Sequence, residues 1–207
     1  MSGERGTMSD EQTIRDRRGV FWTVLGVTLL RIPLALSFSA VLLLGEERGQ
    51  WSTATLVFCF VMLILIEGTD LLDGFLARRL KSVTEWGAMM DPYADSIARL
   101  IVYWSLAGAG MALPQVFLVM ALRDVTVGYC RITLTRHGAS VAANWGGKIK
   151  AIVQGGASSI LLMGPLYWKA DGVLAVPILS WVVMVVTAMS VIPYAKSAIK
   201  AAVGREK

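Results

Sequence analysis

Val173-Leu174-Ala175-Val176-Pro177-Ile178-Leu179-Ser180-Trp181-Val182-Val183-Met184-Val185-Val186-Thr187-Ala188-Met189-Ser190-Val191 carries no charge and no polar face. A helix at the edge of a water-soluble core shows a polar side at every turn, so this run reads as a membrane span. About 20 residues rising ~1.5 Å each cover ~30 Å of hydrocarbon, and the apolar run continues to Ala195. Working outward from it, five more stretches of similar length stand at 20–44, 52–72, 88–109, 113–134 and 151–168. Composition agrees: 55% of the 207 residues are hydrophobic and only 17% charged, with a mean hydropathy of +0.59, where soluble domains run near a quarter charged. The expected fold is all-α, a polytopic integral membrane protein of six transmembrane helices, which excludes a disordered chain and leaves little room for a soluble domain.

The polar tail at 1–19 is followed by an apolar run too long for a cleaved signal peptide. A membrane-embedded domain at 20–200 and a basic tail at 201–207 complete the division. Cys59 and Cys130 fall inside expected spans, so no disulfide framework is implied. Lysines and arginines set the orientation. Arg5, Arg15, Arg17 and Arg18 precede the first span, Arg78, Arg79 and Lys81 follow the second, Arg131, Arg136, Lys148 and Lys150 follow the fourth, and Lys196, Lys200, Arg205 and Lys207 close the chain. Only Arg48 and Lys169 lie on the other side, so both termini are expected in the cytoplasm. The net charge of +5 then reads as topology and attraction to anionic lipid, with no need of nucleic acid. Trp22, Trp51, Trp86, Trp145 and Trp168 fall near span ends, as interfacial aromatics do.

Span two ends in Glu67-Gly68-Thr69-Asp70-Leu71-Leu72-Asp73-Gly74, and span three begins near Asp91-Pro92-Tyr93-Ala94-Asp95. Ionisable residues at membrane depth are costly and face a protein or water-filled interior. Asp70 and Asp73 are three apart and Asp91 and Asp95 four apart, so each pair shares a helix face with a rise of roughly 4.5 to 6 Å between its members. A hairpin across 79–86 would bring four carboxylates together at the cytoplasmic edge, where they cannot all stay ionised without cations. An all-oxygen donor set suits Mg²⁺ or Mn²⁺ over zinc, and two such ions ~4 Å apart clamp the attacking and leaving oxygens of an in-line phosphoryl displacement. Gly74 and Gly87 leave room for a phosphorylated ligand, and Arg78 supplies a fork for phosphate. Taken singly, each acid is better explained by an ion-pair network with Arg78, Arg79, Lys81 and Arg99.

The spacing changes that balance. Asp70-x2-Asp73-Gly74-x2-Ala77-Arg78-x8-Gly87-x3-Asp91-x3-Asp95 resembles the motif of the CDP-alcohol phosphatidyltransferases at all eight fixed positions. At roughly one in twenty per position, such a string arises by chance about once in 10¹⁰ windows. The resemblance implies a six-helix membrane enzyme, usually a homodimer, that transfers a phosphatidyl group from a CDP-linked donor to an alcohol and releases CMP. It implies that Asp70, Asp73, Asp91 and Asp95 hold the metals, that Asp95 also acts as base on the acceptor hydroxyl, and that Asp70, Asp73, Gly74, Ala77, Arg78 and Gly87 bind the CDP donor. The expected location is the bacterial cytoplasmic membrane, with the site at the cytoplasmic face.

Within that family the chain is most similar to the branch using CDP-diacylglycerol and glycerol 3-phosphate. The likeness runs through Thr28-Leu29-Leu30-Arg31-Ile32-Pro33, Arg123-Asp124, Arg131 and Trp145-Gly146-Gly147-Lys148-Ile149-Lys150. Arg123 and Arg131 are eight apart and share a helix face; with Lys148 they are expected to grip the acceptor's phosphate. Two positions depart from that branch, Ser96 where a lysine is usual and Leu25 where an asparagine is usual. Arg99, one turn past Asp95, either replaces the missing cation or pairs with Asp95; Glu67 is either an outer metal partner or a bland edge residue. Arg131, Arg136, Lys148 and Lys150 also fit as topological charge alone. Inositol phosphate, phosphatidylglycerol, serine and choline are the other acceptors the motif allows. A divalent-cation transporter is the reading from another class, disfavoured because the acids lie at one face and not at the midplane.

Overall fold

The computed structural model describes Gly26 and residues 28–47, 50–79, 85–136, 145–168 and 174–203; for Glu47, 70–79, 85–89 and Trp145 it describes backbone alone. The described chain is all-helical apart from a hairpin of two two-residue strands and the connecting turns. Helices α1 (Thr28–Leu44), α2 (Thr53–Arg79), α3 (Glu85–Gly108), α4 (Pro114–Arg136), α5 (Trp145–Tyr167), α6 (Ala175–Met189) and α7 (Ile192–Val203) follow in order, with β1 (Glu46–Glu47) and β2 (Gln50–Trp51) between α1 and α2. Each of the six apolar stretches of the sequence is mostly helical where it is described, with the sixth divided between α6 and α7. Two segments, Gly146–Tyr167 and Ala175–Val203, are long and apolar enough to cross a membrane, and Thr28–Leu44 and Thr53–Thr69 are shorter apolar helices. Ionised side chains inside α3 and α4 (Asp91, Asp95, Arg99; Arg123, Asp124, Arg131) lower the hydropathy of those two.

The chain divides into two compact units, one of residues 1–38 and 61–99, the other of 39–60 and 100–207. In the first, Ala35 and Phe38 of α1, Leu63 and Ile66 of α2, and Ala94 and Ala98 of α3 are buried. Two arginines of the same unit, Arg31 and Arg99, are buried too. Pro92 lies two turns inside α3. It has no N–H to give the carbonyl four residues back and its ring crowds that carbonyl, which loosens the ladder just where the acidic residues stand.

In the second unit the hairpin pairs Glu46 with Trp51 and Glu47 with Gln50. Trp51 Nε1 donates to Leu42 O at 2.8 Å, tying the end of α1 to the hairpin. Ser52 caps α2, its Oγ accepting Thr55 N at 3.1 Å. After α3, Gly110 takes φ +69°, the left-handed conformation that favours glycine, and Met111 N donates back to Leu106 O at 2.8 Å. Leu113 N then donates to Ser180 Oγ of α6 at 3.1 Å. Helix α4 packs on α6 and α7, and α5 on α6. Between them lies a polar chain: Tyr103 OH donates to Gln154 O at 2.7 Å, and Gln154 Nε2 to Thr187 Oγ1 at 2.9 Å.

The sixth apolar stretch is broken at Ser190–Val191. Pro193 cannot donate to the carbonyl of Met189, and its ring would strike it in an unbroken helix. The core is largely apolar, but Arg31, Arg99, Arg123, Lys150, Gln154 and Thr187 are buried too, while Leu36, Ile64, Leu122, Ile152, Ile178 and Trp181 are more than half exposed. Exposed large apolar side chains in this number suit a lipid surrounding.

Candidate active site

In the first unit α3 sets Asp91, Asp95 and Arg99 on successive turns of one face. Arg99 Nε donates to Asp95 Oδ1 at 2.7 Å and Arg99 Nη2 to Glu67 Oε2 on α2 at 2.9 Å. The guanidinium therefore clamps carboxylates from two helices: Arg99 pairs with Asp95, as one of its two expected roles has it, and Glu67 is its second partner. Arg31 of α1 donates from Nη2 to Asp91 Oδ1 at 3.2 Å. Its side chain is 1% exposed, whereas that of Asp91 is 48% exposed. A buried cation thus fixes the root of a carboxylate whose outer part reaches the surface. Nothing singled out Arg31 for this role in the sequence except its position, a lone charge inside an apolar span.

Asp70 and Asp73 lie on the backbone of α2 three residues past Glu67 and beyond, but their side chains, with those of Gly74, Ala77, Arg78 and Gly87, are outside the described residues. Among the described residues no three metal-ligating side chains converge. The chemistry of the described donors fits a hard cation: Asp91 and Asp95 offer carboxylate oxygens one turn apart, each oriented through Oδ1 by an arginine.

A second set of charges belongs to the other unit. Arg123 Nε donates to Ser190 Oγ at 2.9 Å and Nη1 to Asp124 Oδ1 at 2.7 Å, and Lys150 Nζ reaches the same Oδ1 at 3.3 Å. Arg123 and Arg131 both stand over the ring of Tyr194, with their guanidinium carbons 5.8 and 5.7 Å from its centroid. The shared face expected for the two arginines is present, and Tyr194 of α7 is what they share. Lys148 is exposed, while Lys150 is buried at Asp124. Among the described residues Asp124 is the carboxylate that Arg123 and Lys150 reach, and with Arg131 beside them the cluster carries more positive than negative side chains. Arg123 and Lys150 are buried and Arg131 is half-buried, and such an excess is costly to hold out of water unless an anion completes it.

Comparison with known proteins agrees with the motif. The family model described as CDP-alcohol phosphatidyltransferase matches residues 25–192. A protein of Escherichia coli (strain K12) named CDP-diacylglycerol--glycerol-3-phosphate 3-phosphatidyltransferase is 33% identical over 178 residues, 83% of this chain and 92% of its own. A protein of Mycobacterium tuberculosis (strain ATCC 25618 / H37Rv) named "Probable phosphatidylglycerophosphate synthase" is 34% identical over 163 residues, 76% of this chain and 75% of its own. One of Yersinia pestis (strain Pestoides F), named as the Escherichia coli protein is, is 32% identical over 148 residues, covering 68% and 78%. With its helices, its paired acids and arginines, and a family match over most of its length, the chain belongs to the CDP-alcohol phosphatidyltransferase family.

Proposed function

We propose that this protein is a phosphatidylglycerophosphate synthase, transferring phosphatidyl from CDP-diacylglycerol to glycerol 3-phosphate with release of CMP. The observation that carries the choice of acceptor is the grouping of Arg123 and Lys150 on the Asp124 carboxylate, with Arg131 beside Arg123 over the ring of Tyr194. A neutral polyol, serine or choline gives no reason for that excess charge, and the names of the relatives point to the same phosphorylated acceptor. Six spans, both termini in the cytoplasm, a homodimer and a place in the bacterial cytoplasmic membrane belong to the same proposal.

In this reading Gly74, Ala77, Arg78 and Gly87 bind the cytidine and diphosphate of the donor, small residues being needed where the nucleotide lies. Mg²⁺ or Mn²⁺, two ions held by Asp70, Asp73, Asp91 and Asp95, would supply neutralisation of the diphosphate and of the leaving CMP. Asp95 accepts the proton of the acceptor hydroxyl as that oxygen attacks the β-phosphorus. The new O–P bond forms as the P–O bond to CMP breaks, in one displacement. With Oδ1 held by Arg99, Oδ2 is the oxygen that receives the proton. Arg31 and Arg99 keep Asp91 and Asp95 from swinging away when the ligand departs. Arg123 and Arg131 hold the acceptor phosphate.

The test is kinetic. A charge-assisted bond contributes about 1.5–3 kcal/mol, so Arg123→Ala or Arg131→Ala should each cost roughly ten- to a hundredfold in kcat/KM for glycerol 3-phosphate. The KM for CDP-diacylglycerol should hardly move. Unchanged activity per folded molecule would reduce the cluster to a topological signal.

A further inference from the structure

Resting on the phosphorylated acceptor proposed above, we infer that Tyr194 is a positioning residue of the acceptor pocket: its ring holds the guanidiniums of Arg123 and Arg131 at the spacing an acceptor phosphate requires. Three observations carry this. The ring centroid lies within 6 Å of both guanidinium carbons, 5.8 Å from that of Arg123 and 5.7 Å from that of Arg131, the range in which a cation is drawn to an aromatic face. Tyr194 is buried, and Ser190, one turn earlier at the α6–α7 break, accepts Arg123 Nε at 2.9 Å, so the turn and the start of α7 approach α4 at two points. Arg131 Nε is buried and makes no hydrogen bond among the described residues.

The choice of an aromatic partner has a chemical consequence. A carboxylate would cancel the charge of Arg131 and occupy its N–H donors. A ring face attracts the cation and uses no donor, so both charge and donors remain for an oxyanion. Arg123 is served differently, with Asp124 and Ser190 taking donors and the ring taking a share of its charge. The pair is then asymmetric, one arginine anchored by hydrogen bonds and one held by the ring. The hydroxyl of Tyr194 is at the other end of the side chain, 3.5 Å from where a side chain on Gly147 would begin, so the ring and the hydroxyl can be separated by mutation.

Binding of inorganic phosphate to the purified full chain in detergent tests this, with Tyr194→Phe and Tyr194→Leu compared with wild type. The ringless variant should bind phosphate about five- to tenfold more weakly, while the phenylalanine variant stays within about twofold. The KM for CDP-diacylglycerol should be unchanged in both, which a general loss of structure would not allow. If Y194L is not recovered folded, Y194M makes the same comparison. Equal phosphate affinity in the ringless variant and wild type overturns the inference, as does a phenylalanine variant as weak as the ringless one, or wild type that binds no phosphate. Phosphate binding that depends on the ring, without turnover of glycerol 3-phosphate by wild type, would uphold the inference and refute the acceptor instead.

Discussion

One guanidinium, that of Arg99, holds the carboxylates of Asp95 and Glu67, and a second, that of Arg31, holds Asp91. Removing a buried cation strands the acids it served, at about 3–5 kcal/mol for a fully buried pair and less here because Asp91 and Glu67 are partly exposed. Arg99→Lys keeps the charge but cannot span two carboxylates with one fork. It should lower kcat by about ten- to a hundredfold while leaving equilibrium binding of CDP-diacylglycerol near wild type; a variant with unchanged kcat would show that the clamp does not position Asp95. Asp70→Asn, Asp73→Asn and Asp91→Asn should each remove nearly all activity, and wild type should lose activity in excess chelator and regain it with Mg²⁺ or Mn²⁺. Full turnover in chelator would end the metal assignment. At this scale Asp91 and Asp95 stood out in the sequence, because carboxylates beside an apolar span demand a reason, and both carry arginine partners in the structure. Those partners were less legible: Arg99 and Glu67 are 32 residues apart and meet only once α2 and α3 are packed.

Helix phase decides what was readable among the elements. Lys148 and Lys150 are two apart on α5, about 200° around the axis, so only one of them can face inward; the sequence has no means to say which, and packing buries Lys150. Helix α5 also begins at Trp145, several residues before its apolar run, because nothing in Gly146-Gly147-Lys148-Ile149-Lys150 stops a helix. The α6–α7 break, by contrast, has a visible signal in Pro193. What it achieves, bringing Ser190 and Tyr194 to α4, is a matter of packing. Ser180 of α6 gives the chain entering α4 an acceptor for the N–H of Leu113. Ser180→Ala leaves that amide without its partner and should destabilise the fold by about 1–3 kcal/mol, seen as a lower unfolding midpoint with activity per folded molecule unchanged. A wild-type midpoint would mean the amide finds another acceptor at no cost.

Over the whole molecule the two units carry different chemistry, acids oriented by buried arginines in one and an excess of cations around an aromatic ring in the other. The exposed apolar side chains and buried polar ones follow from the composition, and the all-helical fold was legible from apolar run lengths alone. The orientation proposed from the lysines and arginines predicts that reporter domains fused at the N- and C-termini both report the cytoplasm. A terminus found outside would overturn the six-span arrangement. The most direct test of the account is CMP release by purified full-length protein given CDP-diacylglycerol, Mg²⁺ and, one at a time, glycerol 3-phosphate, inositol phosphate, phosphatidylglycerol, serine or choline. Glycerol 3-phosphate should exceed every other acceptor by at least roughly tenfold in kcat/KM, about 1.4 kcal/mol of transition-state preference. CMP release favouring serine, choline or another of these acceptors, or none with any of them, would contradict it.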